Sequence, residues 1–261
     1  MIQDVEFMED KHIKVNHKNS LKRLEHILNE EYIDKSYEVV SKHRKIRNYF
    51  IKLVTPGMCD KCIKEFGADC EYIKEHSNLS LPYGNFNAKI MFANKIPTLI
   101  DCASLLSHYD SGGMLLISLL SFCGIKEEDC YFTDIVKCPN DNINTEAFST
   151  CSVMNFLHEV DIVQPKILVF EDNQVLNSFA NDGIFGSKLK DKQLKNGCVY
   201  NTKFLGKEIM LASIPNPNRM IYLNEQSLNQ ARNDLVINLK EIAKNVYNWY
   251  NSVIIAVKEE Q

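Results

Sequence analysis

The sequence predicts an α/β fold built on a parallel β-sheet, and the stretch Asn87–Cys138 carries the main evidence. A short apolar strand, Ile90–Ala93, leads through a Pro-containing loop to an apolar helix at about Gly112–Gly124, and a second apolar strand, Tyr131–Val136, follows. Strand, helix and strand in this order form one crossover of a parallel sheet, and such sheets bind ligands at the carboxyl ends of their strands. We therefore expect the chemistry in the two loops that leave these strands.

Further elements are predicted on both sides of this crossover. They are a helical pattern over Tyr37–Val54, a helix at Ser152–Ile162, a strand at Lys166–Phe170, a helix at Glu171–Asn181, a hairpin of Val199–Phe204 with Glu208–Ala212, and a last helix at Glu225–Ile255. A Lys-rich irregular segment, about Ser187–Gly197, precedes the hairpin. Thr55-Pro56-Gly57 breaks the first helical pattern, so we predict an N-terminal helical extension, 1–55, and a main domain, 56–261.

The composition is that of an ordinary globular chain. Its 261 residues are 45% hydrophobic and 25% charged, and the net charge of −4 argues against a generally basic nucleic-acid coat but not against a local basic groove. No apolar run is long enough to span a membrane, and Met1–Lys11 lacks the apolar core of a signal peptide. We expect a cytoplasmic monomer without a membrane partner.

One stretch of the predicted extension, Lys42–Arg47, is basic and is followed by two aromatic residues. Such a run is typical of a solvated helix face, and the alternative is a patch that contacts phosphates. The extension as a whole is also a possible binding site for a protein partner.

Nine cysteines are many for a chain expected in a reducing compartment, where disulfides are rare. Cys59 and Cys62 form a Cys-x-x-Cys pair, and Cys138 and Cys151 form a second pair that starts at the end of a predicted central strand. Four thiolates in two separated pairs suit a tetrahedral zinc ion or an iron–sulfur cubane, which spacing alone does not distinguish. The alternative is that these cysteines are small buried hydrophobic residues.

The order of these features resembles the iron–sulfur uracil-DNA glycosylases, families 4 and 5 of that superfamily, over roughly Met58–Lys244. Asn87–Leu116 aligns with the family block that runs from a Gly-Glu-x-Pro-Gly loop into a Gly-rich helix start, and Tyr131–Cys138 resembles the strand that ends Thr-Asn-x-Val-Lys-Cys. The resemblance implies a three-layer α/β/α domain with a central, mostly parallel four-stranded sheet. It also implies DNA as partner and a [4Fe-4S] cluster on Cys59, Cys62, Cys138 and Cys151, with zinc as the alternative.

The positions that carry out catalysis in the family are altered in this sequence. Asn94-Lys95 stands where the family has the Gly-Glu of its water-activating loop, and only Pro97 remains of that motif. His108 replaces the aromatic residue that stacks on the uracil, and Asp134 replaces the Asn that binds its edge. The late His-Pro motif corresponds to Ile214-Pro215 or to Asn216-Pro217.

Asp134 is the most informative of these changes. An Asn amide satisfies the O4 acceptor and N3 donor of uracil together, whereas an ionised carboxylate accepts from the N4 amino group of cytosine and repels the O4 of uracil. Asp134 therefore favours cytosine or a modified cytosine as the extruded base. The alternative is that Asp134 lies in a degenerate site that no longer recognises a base.

The other candidates each have a functional and a structural interpretation. Asp101 can orient a water, although a loop Asp is more often a cap or a turn former, and Lys95 is a candidate phosphate contact or amine nucleophile, or an exposed loop lysine. His108 and Asn94 are assigned to base binding by their positions in the motifs. An amide at Asn216 can stabilise the leaving base, and Asn218 and Arg219 match residues near the sugar-phosphate. Their structural interpretation is a Pro-Asn turn.

Two functional hypotheses follow from these residues. The first is a DNA glycosylase that excises cytosine or a modified cytosine, in DNA repair or in defence against phage. The second is a catalytically inactive glycosylase-like domain that binds DNA or a replication partner, for which a cluster would only hold the fold.

Overall fold

The computed structural model describes residues 37–54, 79–139 and 145–259, which divide into two compact units. The first unit contains the described residues 37–54, 79–81, 96–105, 135–139 and 145–162. The second contains residues 82–95, 106–134 and 163–259. The predicted domain boundary at 55/56 lies outside the described residues and stays a prediction.

The second unit contains a six-stranded sheet. Its strands are β1 (Tyr83–Gly84), β2 (Ile90–Asn94), β3 (Cys130–Asp134), β4 (Ile167–Phe170), β5 (Tyr200–Phe204) and β6 (Lys207–Ser213). They lie in the order β1-β3-β2-β4-β6-β5. The four inner strands are parallel, and β1 and β5 add an antiparallel strand at each edge. The expected four-stranded parallel sheet is thus confirmed, extended by two edge strands.

Helices cover both faces of this sheet, which confirms the predicted α/β/α fold class. On one face Ile90, Phe92 and their neighbours pack against α3 (Ser111–Leu120) and α8 (Glu225–Glu259) in one apolar core. On the other face the ring of Phe170 lies 5.4 Å from that of Phe179 on α6 (Asn173–Asn181). The side chains of successive strand residues point to opposite faces of the sheet. Because both faces are covered, every residue of β2, β3 and β4 is buried, which explains the continuous apolar runs in the sequence.

Several boundaries differ from those predicted. The strand predicted at Tyr131–Val136 ends at Asp134, level with the last residue of its partner β2. The helix predicted from Glu171 begins at Asn173, because Asp172 adopts extended backbone and its carboxylate caps the helix. A short helix, α7 (Pro217–Met220), was not predicted.

The first unit is helical in its described part. It contains α1 (Tyr37–Val54), α2 (Leu99–Ser104), α4 (Thr145–Cys151), a π-helical turn at Ser152–Phe156 and most of α5 (Leu157–Val163). Helix α1 matches its predicted bounds and buries Ile46, Phe50 and Leu53, while Arg44 and Arg47 are exposed. No helix among the described residues is long and apolar enough to cross a membrane.

Candidate functional site at the carboxyl edge of the sheet

The carboxyl ends of the inner strands form one continuous edge in the second unit. Asn94 and Asp134 are register partners at the ends of β2 and β3. The N–H of Glu171, just after β4, donates to the carbonyl of Ala93, and the N–H of Ile214, just after β6, donates to that of Phe170. With strands about 4.8 Å apart, the edge from Asp134 to Ile214 is about 14 Å long. The ends of the two strands from which the predicted loops leave are therefore adjacent in this edge.

Asn94 and Asp134 form a buried amide–carboxylate pair on this edge. The Nδ2 of Asn94 donates to Oδ1 of Asp134 at 3.0 Å, and its Oδ1 accepts from the backbone N–H of Lys95 at 2.8 Å. Because a backbone N–H can only donate, this second contact identifies the amide oxygen and fixes which way the amide of Asn94 points. One oxygen of Asp134 is therefore committed to Asn94.

His108 lies next to this edge in a buried hydrogen-bonded group. Its Nε2 contacts Oε1 of Glu171, its Nδ1 lies 2.6 Å from Oγ of Ser107, and all three residues are less than 5% exposed. Its ring centroid lies 5.2 Å from that of Phe132, with the planes tilted by 55°. Both ring nitrogens of His108 are therefore engaged by protein groups.

The start of α3 is held close to the rest of this edge by two glycines. Asp110 caps the helix by accepting from the N–H of Gly113 at 2.7 Å. A Cβ on Gly113 would lie 2.3 Å from the carbonyl oxygen of His108, and a Cβ on Gly112 would lie 2.0 Å from Oδ1 of Asn218. Only glycine permits these approaches, which explains the Gly-Gly pair in the sequence.

A cleft of about 230 Å³ opens beside the ends of β4 and β6. Its lining includes Asp172, Asn196, Pro215, Asn216 and Arg219. The exposed guanidinium of Arg219 lies 3.2 Å from Oδ2 of Asp172, whose other oxygen caps α6. The structure thus brings two of the predicted site residues, Asn216 and Arg219, to one surface.

Two carboxamides near this cleft have their oxygens occupied. Oδ1 of Asn216 accepts from the N–H of Asn218, and Oδ1 of Asn218 accepts from the N–H of Gly112 at 3.1 Å. The NH₂ group of each amide has no hydrogen-bond partner among the described residues. Such groups are donors only and suit an oxygen of a ligand.

Asp101 and Lys95 occupy different settings. Asp101 belongs to the first unit, is buried, and forms a capping box with Thr98: its Oδ2 accepts from the Thr98 N–H at 2.9 Å and from the Thr98 hydroxyl at 2.8 Å. Lys95 belongs to the second unit and is exposed. The structure therefore shows Asp101 as part of a helix cap. Catalytic roles for Asp101 and Lys95 stay predictions.

Two of the four predicted metal ligands, Cys138 and Cys151, lie in the described part of the first unit, where Cys138 is buried and Cys151 is partly exposed. Nδ2 of Asn155 donates to Sγ of Cys151 at 3.3 Å. Cys59 and Cys62 lie outside the described residues, and no group of three or more metal-binding side chains occurs within the ranges that are described.

A buried charge cluster lies next to Cys138 in sequence. Nζ of Lys137 contacts Oε2 of Glu159 at 2.7 Å, and the hydroxyl of Tyr49 donates to the same oxygen at 3.2 Å. Burial, followed by the charges of Glu159 and Cys151, holds the pKa of Tyr49 well above its usual value, so its phenol stays a donor.

Sequence reasoning missed Glu171, Asp172 and Ser107. Glu171 and Asp172 directly follow a buried apolar strand, as Asn94 and Asp134 do at the ends of theirs, and this shared position was the signal that could have identified them. Ser107 carried no comparable signal, because its role depends on the backbone that carries His108.

The chain is similar to proteins of one known superfamily. A family model described as the uracil DNA glycosylase superfamily matches residues 81–240. A type-4 uracil-DNA glycosylase of Archaeoglobus fulgidus is 25% identical over 160 residues, which cover 59% of this chain and 77% of that protein. A type-4 uracil-DNA glycosylase of Thermotoga maritima is 26% identical over 114 residues, covering 43% of this chain and 59% of that protein.

Proposed function

Because this chain belongs to the uracil-DNA glycosylase superfamily, we propose that it is a DNA glycosylase that extrudes and excises cytosine or a modified cytosine. The superfamily supports a glycosylase-like function on DNA, and the choice of base is our own inference. The observation that carries it is the buried Asn94–Asp134 pair at the ends of the two central strands.

Asp134 supplies the acceptor that a cytosine edge requires. A carboxylate has about four lone-pair sites, so Oδ1 can accept from Asn94 while the group also accepts from an N4 amino group. The same carboxylate facing the O4 of uracil would place two acceptors against each other without a proton between them. Buried mismatches of this kind discriminate strongly, because neither group can return to water.

Asn216 and Asn218 are proposed to stabilise charge as the glycosidic bond breaks. The leaving base gains negative charge that is shared with its O2, and a donor held near that oxygen lowers the barrier. Both amides present NH₂ groups whose orientation is set by backbone contacts to their oxygens. Arg219, on the same cleft, is proposed to contact the sugar-phosphate.

Two routes are proposed for the attack on the sugar. In the first route Asp101 orients a water that replaces the base. In the second, the amine of Lys95 displaces the base and forms an imine with the opened sugar. Borohydride distinguishes the two routes, because it reduces the imine of the second route to a stable protein–DNA adduct. The first route forms no such adduct. An adduct formed through Lys95 should be absent in Lys95→Ala.

The second functional hypothesis, an inactive DNA-binding domain, is favoured by one specific observation. Both nitrogens of His108 are bound within the protein, by Ser107 and Glu171, so His108 cannot replace the lost catalytic histidine by donating to a base. The two hypotheses make opposite predictions for base excision.

Excision is tested with oligonucleotides that carry uracil, cytosine, 5-hydroxymethylcytosine or its glucosylated form, in single strands and duplexes. After incubation, alkali cleaves any abasic site, and the products are separated by length. We expect cleavage at one or more cytosine-type bases and little at uracil. Strand scission on none of these substrates, with DNA binding retained, would establish the inactive domain instead.

The described half of the cysteine set fits thiolate ligation, and we propose that Cys138 and Cys151, with Cys59 and Cys62, hold a [4Fe-4S] cluster. Cys138 is buried, and the amide of Asn155 donates to Sγ of Cys151, the kind of contact that accompanies cluster-bound sulfur. A bound cluster would cross-link the segments that carry the cysteines.

The cluster makes a spectroscopic prediction. The purified protein is expected to be brown with broad visible absorbance, and Cys151→Ser is expected to lose most of that absorbance and the bound iron. Cys198→Ser, a change at an exposed cysteine of the second unit, serves as the matched control and should keep both. A colourless protein that contains zinc would contradict the iron–sulfur assignment.

A further inference from the structure

The segment Ser187–Gly197 concentrates positive charge on the second unit. Two leucines of this segment, Leu189 and Leu194, are buried and anchor it to the core. Four exposed lysines alternate with them: Lys188, Lys190, Lys192 and Lys195. Apolar anchors and outward lysines in one short segment form a defined surface, which we call the lysine platform.

The backbone of the lysine platform is fixed by contacts from neighbouring elements. Asn177 of α6 accepts from the N–H of Leu194 at 2.8 Å and donates to its carbonyl at 3.1 Å. Nearby, Oδ1 of Asn181 accepts from the N–H of Asp191 at 3.2 Å. The N–H of Gly197 donates to the carbonyl of Ser213 at the end of β6. These contacts fix the backbone that carries the lysines, which lowers the backbone entropy lost on binding.

The lysine platform keeps a net positive charge, because its four lysines outnumber its single carboxylate, Asp191. Elsewhere in the second unit lysines pair with carboxylates, as Lys89 does with Asp129 and Lys203 with Glu208. The four platform lysines have no salt bridge to a carboxylate in the described ranges. A local excess of cations on a chain of net charge −4 has the charge that attracts a polyanion.

The platform continues directly into the cleft. Asn196 belongs to the platform segment and also lines the cleft, together with Asn216 and Arg219. Asn177, which holds Leu194, also donates to the carbonyl of Asn173, another lining residue. A polyanion bound along the lysines would therefore reach the surface that is proposed to take a nucleotide.

We infer that the lysine platform binds the phosphate backbone of DNA next to the extruded nucleotide. The identity of the ligand, DNA, rests on the proposed function. The inference itself concerns binding of the DNA backbone and not base excision. Lysines that contact phosphates release condensed counterions on binding, so each such lysine steepens the dependence of affinity on salt. The platform would bind any sequence, because phosphates carry no base identity.

The test compares two full-length variants with the same loss of charge. In the platform variant Lys188, Lys190, Lys192 and Lys195 are replaced with glutamine. In the control variant the replaced residues are four other exposed lysines of the second unit: Lys126, Lys203, Lys240 and Lys244. Binding to an unmodified, fluorescently labelled oligonucleotide, single-stranded or duplex, is followed by anisotropy over a series of KCl concentrations.

We expect the platform variant to bind more weakly, and its slope of log K against log salt should flatten by about 1 for each phosphate that is no longer bound by a lysine. The control variant should keep the wild-type slope. Equal slopes in both variants would overturn the inference even if the enzyme excises a base. Flattening in the platform variant alone would support it even if no base is excised, so the two proposals fail separately.

Discussion

Asp134→Asn is expected to lose excision of the cytosine-type substrate by at least about 100-fold and to gain activity on uracil. Asn94 donates to Oδ1 of Asp134, and an asparagine at 134 can still accept that bond through its own oxygen. The substitution therefore leaves the pair intact and converts the other oxygen into an NH₂ donor. A donor opposes the N4 amino group of cytosine and matches the O4 of uracil.

The residue that precedes the same strand provides a matched control. Asp129 precedes the opposite end of β3, is also buried, and binds Lys89 at 2.8 Å and the hydroxyl of Tyr247 at 3.0 Å. Asp129→Asn makes the same chemical change away from the carboxyl edge, so it can lower stability but should not alter the preference for a base. Unchanged preference in Asp134→Asn would refute the role assigned to Asp134, and a changed preference in Asp129→Asn would show that the effect is indirect.

Glu171→Leu is expected to lower the free energy of unfolding by about 3 kcal/mol, the second large effect. The substitution removes the acceptor of His108 Nε2, which is buried and cannot turn to water. Replacing Glu208 with leucine breaks an exposed pair with Lys203, and such pairs are worth about 0–1 kcal/mol. Urea unfolding followed by circular dichroism measures both variants.

A double-mutant cycle distinguishes a specific pair from a general loss of packing. In His108→Phe/Glu171→Leu the orphaned imidazole is gone, and the phenyl ring can pack on Phe132. The phenyl ring cannot replace the hydrogen bonds that His108 makes with Ser107 and Glu171, so recovery should be partial. A coupling free energy of at least about 1 kcal/mol is expected. Strictly additive losses would show that His108 and Glu171 do not act as a pair.

The sequence by itself determined the sheet and the edge that carries the site. Continuous apolar runs such as Ile90–Asn94 and Ile167–Phe170 are local signals, because a strand buried on both faces must be apolar along its whole length. The crossover order then places strand ends together for topological reasons. Asn94 and Asp134 could therefore be expected side by side, and the structure pairs them.

Only the tertiary structure decided what several polar residues do. The motif position of His108 predicted a role in base binding, which stays a prediction, and the structure adds that its two nitrogens contact Ser107 and Glu171, the latter 63 positions away in the chain. Likewise the amide of Asn218 meets Gly112 across 106 positions. Contacts between side chains so far apart in sequence depend on loop geometry and close packing, such as the left-handed backbone at His108. Local sequence patterns contain no signal for such contacts.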